Sequence, residues 1–115
     1  MKRILMLGSG KVGSLIACLL AETGDYQLHV GDVNPEAIRH VSELGCDNLT
    51  VHVLDAMNRK DLEHFLGSHS VDAVISCLPY YCNFNVSEMA HRFGLHYFDL
   101  TEDVDVARHI AKTSR

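Results

Sequence analysis

The features missing from this sequence narrow its reading first. Among 115 residues no apolar run approaches the roughly 20 needed to cross a bilayer, and no cleavable secretion signal is evident. Ten Lys and Arg face fifteen Asp and Glu, and the net charge of −5 argues against nucleic acid or an anionic membrane as a main partner. The four cysteines, Cys18, Cys46, Cys77 and Cys82, form no Cys-x-x-Cys pair and read as small reduced core residues rather than disulfides. Eight histidines are scattered without a ligand-like cluster, so no metal is assigned. His29 and His52 alternate with apolar neighbours and read as partly buried imidazoles with hydrogen-bond partners. There is no internal repeat, linker or low-complexity tract. What remains, 47% hydrophobic and 22% charged, is the composition of one globular domain spanning residues 1–115. Met1-Lys-Arg leads straight into an apolar run, as at the start of a cytoplasmic protein.

That run, Ile4 to Leu7, reads as a strand buried on both faces. It meets Gly8-Ser9-Gly10-Lys11-Val12-Gly13, where the chain must turn sharply into a helix. Each glycine has its own reason. Gly8 permits the tight turn, Gly10 lets backbone approach a pyrophosphate, and Gly13 lets the helix pack closely on the strand. The helix N-terminus then offers unpaired N–H groups and a positive dipole end to the phosphates. Lys11 either adds a cation there or is a solvated lysine. Val12, Leu15, Ile16, Leu19 and Leu20 recur at helical spacing, and Gly24 closes the helix. A strand through Tyr26, Leu28 and Val30 ends at Gly31-Asp32, with Val33 and Asn34 next. Asp32 lies at the spacing where an acid meets an adenosine ribose.

The alternation continues. Asn34 caps a second helix with Pro35 at its first position, Ala37, Ile38, Val41 and Leu44 form the inner stripe, and Gly45 stops it. A third strand over 49–54 ends at Asp55-Ala56. A helix from about Asn58 to Leu66 follows, with Gly67 after it. A fourth strand over 71–78 is ended by Pro79, and Tyr80-Tyr81 begin a loop. Asn83 or Asn85 caps the next helix, which runs to Phe93 with Val86, Met89, Ala90 and Phe93 as its core face. A fifth strand covers 96–100. Thr101 caps a last helix with Glu102 and Asp103 in its first turn. Asp99 either faces the crevice or caps that helix.

This alternation predicts an α/β fold: a doubly wound, Rossmann-like parallel sheet with helices on both faces and strand order 3-2-1-4-5. The switch point falls between strands one and four. A ligand there meets the carboxyl ends of the strands: Gly8 to Gly13, Asp32, Asp55-Ala56 and Cys77-Leu78-Pro79. NAD is the expected cofactor, because Asp32 hydrogen-bonds ribose hydroxyls and repels a 2′-phosphate; NADP is disfavoured unless Arg39 or Lys11 is recruited.

Ser76-Cys-Leu-Pro-Tyr80, then Asn83 and Asn85, then Gly94-Leu-His-Tyr-Phe-Asp-Leu-Thr-Glu-Asp103 resemble the saccharopine dehydrogenase family, which includes saccharopine reductases and lysine dehydrogenases. The resemblance covers essentially the whole chain, but only the family's N-terminal cofactor domain. It implies an NAD(P)-linked oxidoreductase of amino-acid metabolism, acting at a C–N bond of an amino-acid-like substrate. It also implies that Gly8, Gly10 and Gly13 hold pyrophosphate, that Asp32 holds ribose, and that Asp55 and Ala56 flank adenine. Cys77 to Pro79 would line the nicotinamide-ribose side. The family's substrate residues lie mostly in a further C-terminal domain, so this stretch alone is expected to bind cofactor without turnover; its catalytic residues are not assigned. Exposed apolar side chains around Tyr80, Tyr81 and Phe84 would meet that domain, or drive homodimer formation in its place.

Two other readings stand beside this one. The first 60 residues would equally suit a regulatory NAD(H) sensor of the kind that gates potassium transport. A catalytic Cys77 or Cys82 is the other, although neither has a partnered His or a helix-start placement by spacing.

Overall fold

A computed structural model describes residues 2–8 and 11–99. In chain order the elements are β1 (Lys2–Leu7), α1 (Lys11–Thr23), β2 (Tyr26–Asp32), α2 (Pro35–Ser42) and β3 (Leu49–Val53). Then come α3 (Arg59–Ser68), β4 (Ala73–Ser76), a 3-10 turn (Tyr80–Cys82), α4 (Asn83–Arg92) and β5 (His96–Asp99). All four strand pairings are parallel, and the order is β3-β2-β1-β4-β5, as the alternation predicts. β1 lies at the centre, with Leu5, Met6 and Leu7 fully buried. Ile4, Met6, Leu28 and Val30 meet α1 and α2 on one face, through Ala17, Ala21 and Val41. Leu5, Leu7 and Val74 meet α3 and α4 on the other, through Leu62, Phe65, Val86 and Met89.

The face that α1 turns to the sheet differs from expectation. Gly13, Ser14, Ala17 and Ala21 are buried against it, Ile16 and Leu20 flank it, and Leu15 and Leu19 stand more than half exposed. Helical spacing identifies an apolar stripe but not its direction. Here the close approach of helix to strand admits only small side chains, and the larger ones turn away. α2 keeps its predicted start: Asn34 Oδ1 accepts the Glu36 N–H at 3.0 Å, and Pro35 opens the helix. Of its expected stripe only Val41 is fully buried, because Leu44 lies beyond the last turn.

Several boundaries move for identifiable reasons. β4 covers four residues, not the span 71–78, because its partner β1 turns away at Gly8 and the ladder ends at Leu7–Ser76. The Cys77 N–H still donates to the Leu7 carbonyl at 2.8 Å. α3 runs through Gly67 to Ser68, with Asn58 as its cap rather than its first residue; Asn58 Oδ1 accepts from the Lys60 and Asp61 N–H groups. Neither Asn83 nor Asn85 caps α4. The 3-10 turn leads directly into it, Cys82 takes the cap position without a side-chain bond, and Asn83 instead accepts a hydrogen bond from Ser76. Leu100 and the last helix expected from Thr101, Glu102 and Asp103 lie outside the described residues.

Imidazoles complete the core under α3. His29 Nδ1 and His52 Nε2 lie 2.9 Å apart in a shared hydrogen bond. Phe65 stacks on His69 beside them, ring centroids 4.1 Å apart. Burial lowers the pKa of both bonded histidines. His69 and Arg3 lower His29 further, and His29 and His69 lower His52. The folded chain therefore binds these protons less readily than the unfolded one. Stability from the pair is full above the ordinary histidine pKa of about 6.5 and falls as the pH drops through it. Thermal unfolding followed from about pH 7.5 to about pH 5 should show a falling midpoint, and His52→Leu should flatten that slope. An unchanged slope in the variant would remove the pair as its cause.

Candidate functional site

The carboxyl ends of β1, β2 and β3 and the loop after β4 converge on a cavity of about 220 Å³. Asp32, Val33, Asp55, Ala56, Leu78 and Pro79 all line it, so the structure brings together segments that the sequence keeps far apart. Gly31, Met57, Tyr81 and Cys82 also line it; Tyr81 and Cys82 are singled out above for other roles, and Met57 is not. Gly31 is legible as a glycine at a strand end, whereas Met57 arrives through loop geometry. The volume is below the roughly 300–1,000 Å³ of a typical small-molecule pocket. It suits one end of an extended ligand rather than a whole one.

Backbone geometry forces that turn. Gly8 has φ of +90°, and a Cβ there would lie 3.1 Å from the Cys77 carbonyl carbon and oxygen. A Cβ on Gly13 would stand 2.4 Å from the Gly8 carbonyl oxygen, which no side chain tolerates. The Gly8 N–H donates to the Gly31 carbonyl at 2.9 Å, tying the turn to the end of β2. Ser9 and Gly10 lie outside the described residues. Lys11 and Val12 form the start of α1, whose first turn carries no acidic residue. Its positive end is therefore not neutralised by its own side chains, as an anion site requires.

Two carboxylates are held by their own loops. Asp32 Oδ1 accepts the Asn34 N–H at 2.8 Å, and Asp55 Oδ1 accepts the Met57 N–H at 2.9 Å. Such turns hold a short acid still and leave acceptor capacity on the same carboxylate. Asp32 is half-buried at the rim, and Leu54 donates its N–H to the Asp32 carbonyl at 3.1 Å. Arg39, the cation considered for a 2′-phosphate, is bonded to Glu36 and lies 4.0 Å from Glu43.

The cysteines do not suit nucleophilic work. Burial raises the pKa of Cys77, and burial followed by the negative charge of Asp55 raises that of Cys82. Both therefore stay thiols at neutral pH, the unreactive form. Among the described residues no three His, Cys, Asp or Glu side chains converge to hold a metal, and no helix is long and apolar enough to cross a membrane. Asp99 is exposed at the end of β5, where its charge reaches Tyr97.

A parallel 3-2-1-4-5 sheet with a forced glycine turn at its switch point and an acid ending β2 defines a dinucleotide-binding α/β domain. The model of the family described as "Saccharopine dehydrogenase NADP binding domain" matches residues 4–114, so the chain belongs to that family of oxidoreductase cofactor domains. No curated protein sequence matches it. Among solved structures it is similar to saccharopine dehydrogenase (L-Glu forming) from Saccharomyces cerevisiae. The TM-score is 0.76 at 24% identity, covering 96% of this chain and 24% of that one. It is also similar to L-threonine dehydrogenase from Clostridium difficile, with a TM-score of 0.65 at 18% identity. A third likeness, with a TM-score of 0.66 at 16% identity, is to dTDP-glucose 4,6-dehydratase from Bacillus anthracis str. Ames in complex with NAD. Each of these last two covers 86% of this chain and 36% of the other. These likenesses carry the fold, and this chain spans only about a quarter to a third of their lengths. The family description names NADP, which weighs against the expectation of NAD drawn from Asp32.

The glycine turn yields a paired test. Gly13→Ala should cost about 1–3 kcal/mol of stability by overpacking against Gly8 and weaken dinucleotide binding at least tenfold. Gly67→Ala, in α3 with nothing within 4 Å of the added carbon, should stabilise by about 0.5–1 kcal/mol and leave binding alone. Urea unfolding and calorimetry read both, and a Gly13→Ala protein that binds normally would contradict this geometry.

Proposed function

We propose that the chain is the NAD(H)-binding part of an oxidoreductase that acts at a C–N bond of an amino-acid-like substrate. The observation that supports this is a cavity walled by Asp32, Asp55 and Ala56 at the end of β1, where Gly8 bonds to Gly31, in a family cofactor domain. Gly8, Ser9, Gly10, Lys11, Val12 and Gly13 cradle the pyrophosphate through backbone N–H groups and the start of α1. Asp32, with Val33 and Asn34 shaping its turn, accepts the adenosine ribose hydroxyls. Asp55 and Ala56 flank the adenine, and Cys77, Leu78 and Pro79 line the nicotinamide-ribose side. The bound dinucleotide supplies the hydride chemistry; these residues bind and orient it.

Hydride transfer needs the substrate carbon at about 3–3.5 Å, in a site drained of water. Tyr81 at 64% exposure and Phe84 at 73% leave apolar surface beside the loop after β4. A C-terminal substrate domain covers that surface and supplies the groups that grip an amino acid. The chain by itself therefore binds the cofactor without turning over substrate.

NAD is favoured over NADP by the Asp32 carboxylate and by the engagement of Arg39 with Glu36. A hydrogen bond to a charged group is worth roughly 1.5–3 kcal/mol, so NADH should bind about ten- to a hundredfold tighter than NADPH. Calorimetric titration with both cofactors, on the wild-type chain and on Asp32→Ala, decides it. The variant should lose the preference. Equal or tighter binding of NADPH by the wild type would assign the domain to the phosphorylated cofactor, as the family description has it.

A further inference from the structure

β4 ends on Ser76, a polar side chain with no exposure at all. Its Oγ–H donates to Asn83 Oδ1 at 2.7 Å, and its Oγ lies 3.4 Å from the Leu78 N–H. One hydroxyl thus joins the end of the strand, the loop that follows and the first residue of α4. The segment it spans is Cys77-Leu78-Pro79 with the 3-10 turn after it. Tyr97, on the neighbouring strand β5, packs against the core under α4. Its hydroxyl is buried and makes no hydrogen bond of full geometry, although the Ser76 and Asp99 side chains both lie within its reach. Buried hydroxyls are nearly always paired, and an orphaned one carries a desolvation penalty. Tyr97 lies beside Ser76 and Asp99, and its pKa is pushed up to about 12, by burial first and then by the charge of Asp99. It therefore stays protonated, a donor that can turn to the Ser76 oxygen inside or to the exposed Asp99 carboxylate. A serine oxygen offers two lone pairs, and Leu78 approaches only one of them.

The geometry points to Ser76, with Asn83 and Tyr97, as a clamp that sets the loop after β4 against the glycine turn and so positions the nicotinamide half of the cofactor. The donors run in one direction, Tyr97 to Ser76 to Asn83. A small closure of Tyr97 onto Ser76 completes the hydrogen bond of a hydroxyl left unpaired among the described residues. The loop and the turn already lie at contact distance: a carbon added to Gly8 would be 3.1 Å from Cys77 backbone and 3.2 Å from Leu78 Cδ2. A loop that drifts by a few tenths of an ångström therefore changes the wall that the cofactor meets. Ser76 acts through Cys77 to Pro79 and is a positioning residue. This clamp rests on the dinucleotide reading above.

The test compares NADH with ADP, which keeps the adenosine and pyrophosphate and lacks the whole nicotinamide riboside. Calorimetry on the full chain would use the wild type, Ser76→Ala, Tyr97→Phe and Asn83→Asp, with thermal unfolding as the folding control. Ser76→Ala should lower NADH affinity about tenfold, the size of one lost buried hydrogen bond, and move ADP affinity less than about twofold. Tyr97→Phe, which keeps the ring and removes only the hydroxyl, should change the ratio in the same direction. Asn83→Asp keeps an acceptor oxygen and should preserve the ratio. Equal losses for both ligands, or an unchanged ratio in both Ser76→Ala and Tyr97→Phe, would reduce the clamp to ordinary packing and overturn it. A wild-type chain that binds neither ligand would overturn the dinucleotide reading and the clamp together.

Discussion

The 2.4 Å that would separate a Gly13 side chain from the Gly8 carbonyl is the constraint on which the rest depends. Only a helix with nothing at that position can start so close to the strand it has just left. The approach then dictates what else α1 turns to the sheet: Ser14, Ala17 and Ala21, all small and buried. It also expels Leu15 and Leu19, which would stabilise the fold if they could reach the core but have no room to do so. The central strand tolerates this contact because Ile4, Leu5, Met6 and Leu7 are buried on both of its faces. Burial on that scale is the main favourable contribution to folding.

The same constraint organises chemistry. β1 must turn at Gly8, so the ladder with β4 stops at Ser76, and the crevice beyond the strand ends is walled by Leu7, Gly31 and Leu78. The Gly8–Gly31 hydrogen bond draws the end of β2 alongside, which brings Asp32 to the rim. Two loops that hold their own carboxylates, at Asp32 and Asp55, then present fixed acceptors to that crevice. A helix start without an acid of its own supplies the opposite polarity. The carboxylates of Asp32 and Asp55 and the apolar side chains of Leu7, Leu54 and Leu78 thus share one cavity wall.

The sequence makes much of this legible because the strongest signals are local. Glycines at 8, 10 and 13, Asn34-Pro35 and the alternation of strand and helix each act within a few residues, and all agree on one topology. The misreadings share a cause, which is that tertiary contacts reassign residues with two plausible uses. Asn83 has the chemistry of a helix cap, but a serine seven residues earlier takes its oxygen instead. Leu15 and Leu19 have the spacing of a core stripe, but the adjacent stripe of small residues faces the sheet. The cavity residues Met57, Tyr81 and Cys82 carry no motif at all and depend on how two loops fold back. His29 and His52 were legible as partnered imidazoles, but that they partner each other follows only from the β2–β3 register.

Amide chemical-shift mapping of the chain titrated with NADH tests the central claim most directly, because it reads every strand end at once. The largest changes are expected at Gly8, Gly13, Asp32, Val33, Ala56 and Leu78, with Lys2, Asp72 and His96 at the opposite edge of the sheet unmoved. Changes gathered at that opposite edge, or on the outer surfaces of α3 and α4, would contradict the account.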